Sequence, residues 1–208
     1  MKTSTMPHVQ AVLFDAYGTL FDVYSVGTLA EQLFPGRGEA LAVLWRDKQI
    51  EYTRLVSMSQ RFRPFWELTR ASLRFAAARL GLELSAEHEA QLLNQYRHLG
   101  AFPENKAVLT ALKARGIPTG ILSNGDPDML SVAVKSAGID TLLDHVLSVD
   151  AVRKYKTHPE AYRLGTQALK KPAKRARYVR HGAPADALPG SCDGCAAGNP
   201  AAAADQEA

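Results

Sequence analysis

Three polar positions stand directly after short apolar runs. Asp15 follows residues 9–14, Ser123 and Asn124 follow residues 117–122, and Lys156 lies in the loop after residues 145–149. An acid, a hydroxyl with an amide, and an amine at successive strand ends would converge on one crevice. Each residue alone has a plainer reading: an Asp after a strand is most often a helix cap, Ser-Asn-Gly is usually a turn, and a loop lysine is usually solvated. Their shared position sets them apart, because ligands of an open parallel α/β sheet bind beyond the carboxyl ends of its strands.

The elements needed to position them are legible as alternating strand and helix signals. Residues 9–14 are too short and too apolar for a surface helix and read as a buried parallel strand. A block of helices follows to about Leu99. One segment, 70–80, places Leu73, Ala76, Ala77 and Leu80 on one face before Gly81. The next starts after Ser85, a good N-cap, and buries Leu92, Leu93, Tyr96 and Leu99. Helix 104–115, strand 117–122, helix 127–138 with Asp126-Pro127 as cap and first turn, strand 145–149 and helix 158–169 complete the alternation. This order predicts an α/β, Rossmann-like parallel sheet with a helical cap inserted after the first strand. The expected division is a core at 8–20 and 100–170, a cap at 21–99 and a separate tail at 171–208.

Composition agrees with this for most of the 208 residues: 46% are hydrophobic and 22% charged, as in ordinary globular chains. No run approaches the roughly 18 apolar residues of a membrane span, and residues 1–10 lack the apolar stretch of a secretory leader, so the expected location is cytoplasmic. The net charge of +4 says little about partners, because the basic cluster Lys170, Lys171, Lys174, Arg175, Arg177 and Arg180 has no recognition helix or aromatic platform beside it. No nucleic-acid or membrane partner is expected. Residues 171–208 hold 12 Ala, 4 Gly and 4 Pro, too little apolar bulk to offset ordering, so disorder is expected there. Cys192 and Cys195 lack the four ligands of a structural zinc site and read as incidental.

With these residues in view, the chain resembles the haloacid dehalogenase superfamily, and within it the L-2-haloacid dehalogenases. The resemblance rests on Phe14-Asp15-Ala16-Tyr17-Gly18-Thr19-Leu20, on residues 45–53 beginning Trp45-Arg46-Asp47, on Ser123-Asn124-Gly125, and on residues 156–162 from Lys156 to Tyr162. It runs from about Val9 to Leu169. Phosphatases of that superfamily carry a second Asp two residues after the first, as general acid for an alkoxide. Here Tyr17 stands in that place, and a halide leaves without needing a proton. The resemblance therefore implies hydrolysis of (S)-2-haloacids to (R)-2-hydroxy acids through an ester on Asp15, with no cofactor and no metal; the small haloacid and water are the partners. It also allows a homodimer.

By the same resemblance, Lys156 holds Asp15 ionised, Thr19 hydrogen-bonds it, and Tyr162 orients Lys156. Arg46 receives the halide or the substrate carboxylate. Ser123, Asn124 and the backbone after Asp15, beginning with Ala16, bind the carboxylate and the oxyanion. Tyr17, Ile50 and Phe65 form the apolar side of the pocket. Asp47 departs from the uncharged polar residue usual in the family. A larger departure follows Leu169, where the family continues with an apolar strand and a Ser-Ser-Asn-x-x-Asp motif. Here residues 179–186 contain no Ser and no Asn, and Asp186 is displaced by one. The C-terminal strands are accordingly expected to be missing. Two alternatives stay open on the residues alone: a phosphatase of the same superfamily, or an inactive product. The tail composition matches a GC-rich gene read in a shifted frame, so translating the coding DNA in the other two frames should yield an apolar strand followed by a Ser/Asn/Asp motif. If neither frame yields one, the shifted-frame reading is wrong.

Overall fold

The computed structural model of the chain describes residues 9–170 and 176–180. Four parallel strands, β1 (Ala11–Phe14), β2 (Thr119–Ser123), β3 (His145–Ser148) and β4 (Ala176–Val179), lie in the order β3-β2-β1-β4. β1 and β2 are buried along their whole length, which explains why they read as uninterrupted apolar runs. Helices α1 (Val26–Leu33), α2 (Gly38–Met58), α3 (Phe65–Arg79) and α4 (Ala86–Arg97) form the insertion after β1. They are followed by α5 (Asn105–Ala114), α6 (Pro127–Ser136) and α7 (Pro159–Leu169). Among the described residues, no helix is long and apolar enough to cross a membrane.

Both ends of the insertion are tied to one place on the core. Asp22 N–H donates to Gly100 O at 2.8 Å, Phe102 N–H donates to Leu20 O at 3.1 Å, and Phe21 bridges Ala101. Within the insertion α2 and α3 pack against each other, and the Trp45 indole N–H donates to Thr69 O at 2.8 Å. The four helices thus hang over the carboxyl end of β1 on a short, hydrogen-bonded neck.

The fourth strand corrects one expectation. The C-terminal strands were expected to be missing and 171–208 to form a separate tail, yet residues 176–179 pair with β1 from Ala11↔Ala176 to Phe14↔Val179. Ala176 and Tyr178 are buried while Arg177 and Val179 are half-buried, the two-residue alternation of a strand. Residues 171–175 and 181–208, including His181, Asp186, Cys192 and Cys195, lie outside the described residues. So do Lys171, Lys174 and Arg175 of the basic cluster.

α7 crosses the sheet at Gly165, where an added Cβ would collide with the Leu13 side chain, itself also close to Gly120. Leu13 fills the gap that these two glycines leave and has little room to yield. Gly165→Val should therefore lower unfolding free energy by roughly 1–3 kcal/mol through overpacking, read as a lower urea midpoint than wild type. An unchanged midpoint would show that α7 does not press on β1 at this position.

Candidate active site

β1 leads directly into Asp15, whose backbone N–H donates to Val179 O of β4 at 2.8 Å. The strand ladder therefore fixes the main chain of this residue on its own. Its Oδ1 accepts from Lys156 Nζ at 2.6 Å and from Ala16 N–H at 2.7 Å. The lysine side chain is 9% exposed and that of Asp15 25%, so the ammonium is buried and the carboxylate partly so. Nζ also donates to Leu122 O at 3.0 Å and to the Tyr178 hydroxyl at 2.8 Å. Three acceptors match the three N–H bonds of an ammonium. Burial pulls Lys156 below the ordinary lysine pKa. The Asp15 charge and hydrogen bond oppose that shift, and Arg46 and Arg180 add to it.

Beyond Asp15 the chain turns through Gly18 at φ +91°, a conformation that favours glycine. Arg46 Nη2 lies 3.8 Å from where a Cβ would project there. Arg46, on α2, donates to Tyr17 O at 3.0 Å and to Gln49 Oε1 at 2.7 Å. Gln49 is completely buried, accepts also from the Tyr96 hydroxyl at 3.0 Å, and donates to Thr69 Oγ1 at 2.7 Å. A guanidinium carried by the insertion is thus held at the core by a buried polar chain that runs across α2, α3 and α4.

The aromatic wall is built around Tyr17. Its ring stacks on Phe65 at 5.8 Å and on Tyr96 at 5.7 Å between centroids. Gly125 also approaches so closely that an added Cβ would lie 2.5 Å from the ring. The Tyr17 hydroxyl is buried without a hydrogen-bond partner among the described residues, and burial drives its pKa well upward.

Most of the residues expected from the sequence converge here, though several do so by routes of their own. Asp15, Ala16, Tyr17, Arg46, Phe65 and Lys156 are linked through the bonds on Asp15, the Arg46–Tyr17 hydrogen bond and the Tyr17–Phe65 ring contact. Ser123 is buried and its hydroxyl accepts from Gly125 N–H at 3.0 Å, shaping the turn after β2. Asn124 Oδ1 accepts from the backbone N–H of Lys156 at 3.0 Å, so it ties the loop after β2 to the loop after β3. Thr19 lies in the same turn, its N–H 3.3 Å from Ala16 O. Ile50 is half-buried one helical turn past Arg46, on the same side of α2. Tyr162 was expected to orient Lys156. The hydroxyl found on that ammonium is Tyr178's, and Tyr162 packs edge-on against the Tyr178 ring at 5.6 Å. Gln49, Tyr155 and Tyr178 carry structural weight that sequence reasoning did not assign, and Asp126, expected as the cap of α6, makes no side-chain bond there and accepts from Phe65 and Trp66 N–H instead. For Gln49 the i, i+3 spacing from Arg46 was an available signal.

Comparison with known proteins places this geometry. The family model for haloacid dehalogenase-like hydrolases matches residues 9–179. The chain is 43% identical over 164 residues to the (S)-2-haloacid dehalogenase of Pseudomonas sp. (strain YL), covering 79% of this chain and 71% of that protein. It is 42% identical to the (S)-2-haloacid dehalogenase of Xanthobacter autotrophicus, over 77% of this chain and 63% of that protein. Among solved structures it is similar to an L-2-haloacid dehalogenase at 57% identity with TM-score 0.81, over 83% of this chain and 78% of that one. The Xanthobacter autotrophicus enzyme with chloropropionic acid covalently bound is 40% identical with TM-score 0.77, over 82% and 69% of the two chains. The chain spans 63% to 78% of the length of these and other curated relatives. With the matched model covering the sheet, the insertion and the Asp15–Lys156 pair, this chain belongs to the haloacid dehalogenase-like hydrolases.

Proposed function

We propose that this chain hydrolyses the carbon–halogen bond of (S)-2-haloacids to give (R)-2-hydroxy acids. The observation that carries the reading is the arrangement on Asp15 Oδ1, where Lys156 Nζ and Ala16 N–H both donate to one carboxylate oxygen. The other oxygen is then the one assigned to attack. It displaces the halide from the carbon next to the substrate carboxylate, from the opposite side, and inverts that centre; the halide leaves with the bonding pair. The product of this step is an ester whose carbonyl oxygen is Oδ1, already facing two donors. Water adds to the ester carbonyl, and the charge that develops on Oδ1 meets a preformed oxyanion site. Collapse releases the 2-hydroxy acid, restores the carboxylate with one oxygen from water, and sheds one proton.

Arg46, brought from α2 to the Tyr17 carbonyl, supplies the positive charge for the departing halide or the substrate carboxylate. The stacked Tyr17 and Phe65 rings form a dry wall for the alkyl group and keep water off the carbon under attack. The insertion acts as a cap, closing the cleft from above. Support comes from the site geometry together with the names of the similar proteins.

Purified protein given (S)-2-chloropropionate should release chloride and (R)-lactate in equal amounts, and Asp15→Asn should lower the rate by on the order of 10^3-fold or more. Magnesium-dependent phosphate release without halide release would overturn the reading. The pH profile supplies a second check. Burial lowers the Lys156 pKa, so raising the pH removes the ammonium proton earlier than for a free lysine, and with it the counter-charge and one oxyanion donor. The alkaline limb of kcat should fall below about pH 10.4, the free-lysine value. A rate that stays flat through that value would remove Lys156 from the charged role.

A further inference from the structure

Helix α3 begins at Phe65 directly after Pro64, which offers no side-chain oxygen to its first turn. The N–H groups of Phe65 and Trp66 are therefore among the four that a helix leaves without internal partners. Both are met by a single residue 61 and 60 positions further along the chain. Asp126 Oδ1 accepts from Phe65 N–H at 2.9 Å, and Oδ2 accepts from Trp66 N–H at 2.7 Å. Asp126 also stands at the N-cap position of its own helix, α6, where its side chain makes no capping bond. Its carboxylate has been turned away from the nearer helix to cap one in the insertion, where a negative charge is also favoured by the helix dipole.

A second tie lies alongside. The buried Tyr155 hydroxyl donates to Arg63 O at 2.7 Å, and the Tyr155 ring contacts Phe62 and Phe65. Tyr155 adjoins Lys156, and Asp126 is two residues past Asn124, the residue that holds the Lys156 backbone. The loops after β2 and β3 thus grip residues 63–66 from two sides, and the gripped segment carries Phe65 onto the Tyr17 ring. We propose that Asp126 is a positioning residue: by capping α3 from the core it fixes Phe65 over Tyr17 and so sets the width of the substrate pocket. The placement of Phe65 stands on geometry alone; the link to substrate size rests on the dehalogenase reading above.

The test compares wild type, Asp126→Ala and Asp126→Asn in the full chain by amide hydrogen exchange and by Phe65–Tyr17 ring NOEs. Asp126→Ala should raise exchange at both Phe65 and Trp66 by roughly tenfold, leave Ile121 and Leu122 of β2 unchanged, and weaken the NOEs. Asp126→Asn keeps one acceptor oxygen and should release only one of the two amides. In turnover, Asp126→Ala should raise KM for 2-chloropropionate more than it lowers kcat, and should narrow the ratio of kcat/KM between 2-chloropropionate and 2-chlorobutyrate. Unchanged exchange and NOEs, or an unchanged substrate ratio in an active variant, overturn the proposal. Should the wild type release no halide, the dehalogenase reading fails, while exchange and NOEs still decide whether Asp126 places Phe65.

Discussion

The ion pair between Asp15 and Lys156 is the constraint around which the rest of this molecule is arranged. Breaking such a pair by removing one partner costs about 3–5 kcal/mol, because it strands a charge away from water. The protein therefore satisfies the lysine completely, with Asp15, the Leu122 carbonyl and the Tyr178 hydroxyl as acceptors. Those acceptors come from β1, β2 and β4, so the site forms only when three strands lie side by side. Parallel pairing delivers all three at their carboxyl ends, and the crossover helices make that pairing possible.

The insertion adds what the sheet cannot. It brings Arg46 against the Tyr17 carbonyl and stacks Phe65 on the Tyr17 ring. Its neck at residues 20–22 and 100–102 fixes where it attaches, and Asp126 and Tyr155 tie residues 63–66 to the loops after β2 and β3. The sheet supplies the carboxylate and its counter-ion, while the insertion supplies a second cation and much of the aromatic wall.

Much of this was legible in residue order. β1 and β2 announce themselves as unbroken apolar runs, α6 and α7 through proline at the first turn, and Asp15, Arg46 and Lys156 through their places at strand ends or within a family motif. Periodicity reports what neighbours in sequence do together, and it fails where a partner lies far along the chain. α3 was expected from about residue 70 and begins at Phe65, because its cap is Asp126, 61 residues away. Gln49 falls inside the motif at 45–53, but its partners Tyr96 and Thr69 sit on other helices. Residues 176–179 fall within the expected tail, yet Ala176 and Tyr178 are buried in the sheet. Tyr178 consequently reaches the lysine that Tyr162 was expected to orient.

The central claim is that the Asp15 carboxylate itself attacks the substrate carbon, with Oδ1 held by Lys156 and Ala16. The most direct measurement is a single turnover of (S)-2-chloropropionate with enzyme in excess in heavy-oxygen water, followed by mass analysis of the peptide containing Asp15. The account predicts that the heavy oxygen enters the Asp15 side chain and that the lactate formed in that first turnover carries none. Heavy oxygen found in the lactate hydroxyl, with Asp15 unlabelled, would mean that water attacks the substrate directly and would contradict it.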